Sequence, residues 1–93
     1  MSARIDSVSS RQRLKPRRGP YWHRISKGCY LGYRKMSPSG DGTWLARVRD
    51  VQAGEQHQRY KALGEFGELP GYLRFDMAQK AARAWFDHRR ASR

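Results

Sequence analysis

Arginines spaced two apart on strand-forming segments are the residues of this chain best suited to chemistry. Arg47 and Arg49 alternate within Thr43-Trp44-Leu45-Ala46-Arg47-Val48-Arg49. Arg34 follows Tyr30 and Gly32 at the same spacing, and Arg59 and Lys61 repeat it further on. Successive side chains of a strand point to opposite faces, so each set gathers on one face. A guanidinium fork matches phosphate oxygens and the O6/N7 edge of guanine. The chemistry implied is recognition of a polyanion. The whole chain carries the same bias: Lys plus Arg is 20 against 8 Asp plus Glu, a formal net charge of +12 in 93 residues. Solubility needs charge of either sign, not an excess this large of one.

Other chemistries lack their residues. The soft metal ligands are Cys29, His23, His57 and His88, and no pair has zinc-like spacing, so neither metal nor cofactor is expected. Gly64-Glu65-Phe66-Gly67 is a loop pattern without the strand-to-helix turn of a phosphate cradle. No set of nucleophile, base and oxyanion donors can be assembled, which argues against an enzyme and a small-molecule substrate. One cysteine allows no intrachain disulfide and suits a small core residue. No apolar run approaches the roughly 18 residues of a membrane span, and the N-terminus lacks the apolar core of a signal peptide. The expectation is a soluble, cytoplasmic domain, monomeric in isolation. Its length suits one domain and excludes a large catalytic fold.

These side chains need a scaffold. Residues 1–18 carry six Arg or Lys against Asp6 and show no hydrophobic period, so they are expected to form a flexible basic tail. The ordered domain, 19–93, begins at Gly19-Pro20-Tyr21-Trp22; the two aromatics either cap the end of the sheet or one of them lies on the DNA. Cys29–Lys35, Thr43–Arg49 and Gln56–Leu63 are predicted strands, separated by a loop over 36–42 and a hairpin turn over 50–55. After a loop over 65–74, Ala78, Ala81, Ala82, Trp85 and Phe86 recur on one helical face. Asp76 is the expected N-cap with Gln79 completing a capping box, and Arg89 and Arg90 sit where the dipole favours cations. Short connections force an antiparallel meander. The fold expected is α+β: a three-stranded antiparallel sheet packed on one C-terminal helix, with a disordered basic N-terminal tail.

One helix covers one face of such a sheet and leaves the other open. Cys29, Leu31, Tyr33, Trp44, Ala46 and Val48 are expected inward, with Tyr60 and Ala62 beside them and Leu63 reaching the core through a break in parity. The open face then holds Tyr30, Arg34, Leu45, Arg47, Arg49, Arg59 and Lys61, with no acid. Like charges on adjacent strands repel, and a partner supplying negative charge relieves the cost. Lys27, Lys35, the tail and the helix-end arginines are expected on phosphates; His23 is expected as a surface polar residue. Two partners fit, double-stranded DNA and RNA. RNA recognition calls for exposed paired aromatics on central strands. Trp44 has core parity, which favours the duplex.

Several segments together carry a family pattern: Pro20-Tyr21-Trp22, Ile25-Ser26, Gly28, Tyr30-Leu31-Gly32-Tyr33-Arg34-Lys35, Gly42-Thr43-Trp44-Leu45-Ala46-Arg47, Leu63-Gly64, Phe75-Asp76 and Trp85-Phe86. Over roughly residues 19–88 the chain resembles the N-terminal arm-type DNA-binding domain of phage-type integrases, the tyrosine site-specific recombinases. The resemblance implies a three-stranded sheet backed by a helix, similar to plant ethylene-response-factor domains, whose open face enters the major groove. It implies a role in DNA recombination and integration by holding distal arm sites, with cleavage carried out by a separate catalytic domain beyond Arg93. The residues that it places on DNA are the open-face set, Tyr30, Arg34, Leu45, Arg47, Arg49, Arg59 and Lys61.

Overall fold

A computed structural model describes residues 4–37, 42–52 and 55–91. The elements in order are α1 (Val8–Arg13), β1 (Tyr21–Ser26), β2 (Cys29–Arg34), β3 (Thr43–Gln52), β4 (Glu55–Gly64) and α2 (Gly71–Ala91). The four strands form one antiparallel sheet in the order β1-β2-β3-β4, so every strand pairs with its neighbour in sequence. The α+β architecture with a C-terminal helix matches expectation; the strand count does not.

The additional strand is β1. Tyr21 pairs with Tyr33, Trp22 with Gly32 and Arg24 with Tyr30, and a register shift between Arg24 and Ser26 lets Ile25 pack against the core. Its mixture of aromatic, basic and polar residues hides the alternation that marks β2 and β3. The turn into β2 depends on Gly28. Its φ is +75°, and a Cβ there would lie 2.8 Å from the Arg49 carbonyl oxygen. Arg49 in turn donates its backbone N–H to the Gly28 carbonyl at 2.7 Å. Gly28→Ala therefore meets both a left-handed backbone and a backbone clash. It is expected to lower stability by about 1–2 kcal/mol, read from the denaturant midpoint.

The inward residues of β2 and β3 fall where alternation puts them. Cys29, Leu31, Tyr33, Trp44 and Ala46 are buried, and Val48 packs at the edge of the cluster. Helix α2 closes this face with Ala78, Ala82 and Phe86 buried and Phe75 and Trp85 partly so. Small residues let the helix approach the sheet closely, while Phe86 fills the wider end. The helix begins at Gly71, so Asp76 is an exposed residue within it rather than its N-cap. Pro70 stands just before the first turn, and Leu73 N–H bonds the Pro70 carbonyl at 3.0 Å. That start extends the apolar stripe back to Phe75, whose ring meets Trp44 edge-on at 6.1 Å between centroids. The predicted hairpin turn over 50–55 is shorter than expected, because Gln52 already pairs with Glu55. Most of the predicted 36–42 loop, residues 38–41, lies outside the described residues.

Residues 4–18 also depart from expectation. Ser7 caps α1, its Oγ accepting from the Ser10 N–H at 3.2 Å. Ile5 is completely buried in the core cluster and Leu14 packs against it. Arg11 is buried too: its guanidinium donates to the Ile5 carbonyl at 2.8 Å and the Gly71 carbonyl at 2.7 Å, and stands 5.2 Å from the centroid of the Trp44 ring. Burial lowers the proton affinity of Arg11, and the nearby Tyr33 hydroxyl opposes that shift. Further along, Tyr21 donates its hydroxyl to the Lys15 carbonyl at 2.6 Å, and the Arg17 guanidinium stacks 3.6 Å from the Tyr21 ring centroid. Two apolar residues and one buried arginine are too sparse to show a period, yet they seal one end of the helix–sheet layer. The Arg4–Asp6 pair ahead of them is exposed; the hydrogen bond from Arg4 lowers the Asp6 pKa, and such surface pairs add little to stability.

Candidate nucleic-acid interface

Directly opposed residues of antiparallel strands share a face, so the register defines the uncovered side of the sheet. One row across it is Trp22, Gly32, Leu45 and Ala62; the next is Arg24, Tyr30, Arg47 and Tyr60. Arg34 and Thr43 flank the first row, and Arg49 and Gln58 flank the second. The face thus carries Arg24, Arg34, Arg47 and Arg49, and among the described residues it carries no acid and none of the four makes an ion pair.

Arg47 is the centre of the face. Its guanidinium carbon lies 4.3 Å from the Trp22 ring centroid and 4.4 Å from that of Tyr30. Its Nε is buried without a hydrogen-bond partner, as is the Nε of Arg34. Two aromatic faces flank the Arg47 fork, an attraction worth about 0.5–2 kcal/mol per ring. The Trp22 indole reaches Arg47 by lying across Gly32, where a Cβ would come within 2.6 Å of the ring. Tyr60 approaches Trp22 at 6.1 Å between centroids and anchors its hydroxyl on Gln58 Oε1 at 2.7 Å. Tyr60 as a whole is 56% exposed.

The expected set divides. Tyr30, Arg34, Leu45, Arg47 and Arg49 share this face. Arg59 and Lys61 do not: they pair with Val48 and Ala46 and so lie on the helix side, where both are exposed on the edge strand. Tyr60 and Ala62 take the open positions instead. The reason is where the parity breaks. Leu63 does reach the core, but in phase with Lys61; the irregularity follows it, where Trp44 pairs with Gly64 and Leu45 with Ala62. Gly64 adopts φ +110°, which suits a bulge residue and is open to glycine. Charged residues on an edge strand discourage strand addition, which accounts for Arg59 and Lys61 without a ligand.

Lys35 is also displaced from its expected role. It is 4% exposed, and its Nζ donates to the Arg11 and Gln12 carbonyls at 3.0 Å each, at the C-terminal end of α1. A buried ammonium so occupied is not offered to phosphate. Lys35→Met should cost about 1–2 kcal/mol of stability by leaving two carbonyls unpaired, and should leave duplex affinity of the folded protein unchanged. Lys27 is exposed in the β1–β2 turn, beside this face. His23, expected on the surface, is half-buried on the helix side with its ring edge-on to Phe75 at 5.5 Å. The side chains of Arg89 and Arg90 lie outside the described residues.

Trp22, Arg24 and Tyr60 also lie on this face: Trp22 and Arg24 fall outside the predicted strands, and Tyr60 is expected inward from the sequence. Their signal is present in Trp22 and Arg24, spaced two apart, once residues 21–26 are read as a strand. Among the described residues no three His, Cys, Asp or Glu side chains gather into a metal-binding group, and no helix is long and apolar enough to cross a membrane. Comparison of the chain with family models, curated proteins and solved structures returned no match.

Proposed function

We propose that the chain binds double-stranded DNA by placing the uncovered face of its sheet in the major groove. The role we infer is that of the arm-site-binding domain of a phage-type integrase, in recombination and integration, which the sequence pattern resembles. One observation carries the binding reading: four arginines share a face on which, among the described residues, there is no acid and no ion pair to neutralise them. The major groove is wide enough for a β-ribbon, and it displays the guanine edges that a bidentate guanidinium reads. Arg47, central and held between two rings, is the base-reading residue. Arg24, Arg34, Arg49 and Lys27 contact the flanking phosphates and fix position. Leu45 is available to thymine methyl groups. On this reading the chain binds DNA and supplies no cleavage chemistry.

Recognition of RNA or single strands is the second reading, and Trp22, Tyr30 and Tyr60 on the open face favour it. Two of these rings already stack on Arg47, which leaves Tyr60 as the freest platform. That is less than a run of stacked bases requires. Fluorescence anisotropy with a labelled duplex, its separated strand and an RNA hairpin, across a salt series, tests the choice. The duplex should bind most tightly, with a slope of about −4 to −5 in log K against log salt if some five phosphates are neutralised. Tighter binding of the hairpin or the single strand, or a slope near zero, would overturn the duplex assignment.

A further inference from the structure

A planar fork reads a base edge only when its plane is fixed, and among the described residues the Arg47 Nε has no hydrogen-bond partner to fix it. Its Nε is buried and unpartnered, and its contacts are ring faces from two different strands. The two rings are not equivalent. Tyr30 is directly opposite Arg47 in the β2–β3 register, so a ring at that position touches it by sheet geometry alone. Trp22 comes from β1, two strands away, and from the adjacent row. It arrives only because position 32, between them, has no side chain: a Cβ on Gly32 would come within 2.6–3.0 Å of three indole atoms. The glycine is not there for backbone freedom, since its φ is not in the left-handed region. It is a seat for the indole.

We propose that Trp22 is a positioning residue for sequence discrimination: seated on Gly32, it sets the plane of the Arg47 fork, and so decides how well the protein separates one duplex sequence from another. This rests on the duplex reading above. Trp22 touches Arg47 rather than a phosphate, so its removal should spare the charge-driven affinity common to all duplexes. Gly32→Ala should act like loss of the ring itself, because the clash is with the far edge of a side chain that can swing away.

The test has two readouts on wild type, Trp22→Leu, Trp22→Phe, Gly32→Ala and Arg47→Ala, each first shown by thermal melting to be folded. The first, on free protein, is the Arg47 Nε–Hε NMR signal. Ring faces should shift it upfield in wild type, and the shift should shrink in Trp22→Leu and Gly32→Ala but persist in Trp22→Phe. The second is the ratio of affinities for a duplex enriched from a random pool by the wild-type protein and for a scrambled duplex. That ratio should fall about 10-fold or more in Trp22→Leu and Gly32→Ala, approaching Arg47→Ala, with scrambled-duplex affinity and salt slope unchanged. Trp22→Phe should keep most of it. Absence of the upfield shift in wild type overturns the stack. A moved signal with an unchanged ratio, or equal loss on both duplexes, overturns the positioning role. Enrichment of no sequence by the wild-type protein overturns base reading, and this proposal with it, even where the NMR signal behaves as described.

Discussion

Arg47→Ala is expected to lower affinity for an enriched duplex roughly 30- to 100-fold, while affinity for a scrambled duplex falls only by the share of one charge. A good bidentate guanine contact is worth about 1–3 kcal/mol of discrimination, and Arg47 is placed to make it. It stands mid-face in β3, paired with Tyr30 on one side and Tyr60 on the other. Two rings hold its guanidinium, so little rotamer freedom remains to be lost on binding. Removing Arg24 or Arg49, both exposed near the rim, should instead weaken all duplexes alike and reduce the salt slope by about 1 each. Paired measurements on enriched and scrambled duplexes separate the two roles. Equal losses on both for Arg47→Ala would remove it from base reading.

The largest effect on stability is expected from deleting residues 1–14. A flexible basic tail could be removed at no cost to folding, with a uniform loss of affinity for DNA. The structure implies otherwise. Loss of the fully buried Ile5 alone corresponds to about 2–5 kcal/mol, the range found when a large aliphatic side chain leaves a core. Loss of Arg11 uncovers the Trp44 and Tyr33 rings and leaves the Gly71 carbonyl without that donor. Lys35 would lose both of its acceptor carbonyls. Together these losses exceed about 4 kcal/mol, a large part of the stability of a domain this size. Urea denaturation of the truncated chain should show a much lower midpoint, or no folded baseline. An unchanged midpoint would mean that residues 4–14 lie outside the cooperative unit. Ile5→Val, a milder probe of the same contact, should cost about 0.5–1.5 kcal/mol.

Alternation made much of this structure legible. In β2 and over residues 43–49 of β3 each side chain falls on the face its parity assigns, because the strands are regular and one face is strongly apolar. The stripe from Ala78 to Phe86 likewise identified α2 and its buried side. Three features were not legible, each for a local reason. Strand β1 mixes aromatic and basic residues and is interrupted at Ile25 by a register shift, so no strict period survives. In β4, Leu63 was placed in the core by hydrophobicity, but the sequence does not say on which side of it the parity breaks; the bulge at Gly64 decides that, and it moves Arg59 and Lys61 off the open face. Near the N-terminus, the contacts that order the chain are made by Ile5, Arg11 and Lys35, and a buried arginine and lysine bonded to carbonyls resemble surface charge in a composition count.

The candidate site was therefore half visible. Its arginine centre followed from spacing, whereas its aromatic frame depended on β1 and on the phase of β4. That frame changes the character of the face. A row of free cations would act as a diffuse anion surface. On the proposed reading, Arg47 set between Trp22 and Tyr30, with its neighbours along the rim, separates reading from holding. The same cluster explains how a sheet face with four arginines remains compatible with folding, since ring faces partly offset the repulsion that adjacent cations impose.

The claim that the uncovered sheet face is the DNA-binding surface is tested most directly by an NMR titration of the whole chain with a short duplex, repeated with an RNA hairpin of equal charge. The account predicts shifts gathered on Trp22, Arg24, Tyr30, Arg34, Leu45, Arg47, Arg49 and Tyr60 with the duplex. Lys35 and the α2 residues Ala78 and Ala82 should stay in place. Shifts confined to Arg59, Lys61 and the outer surface of α2, or stronger and more localised shifts with the hairpin, would contradict it.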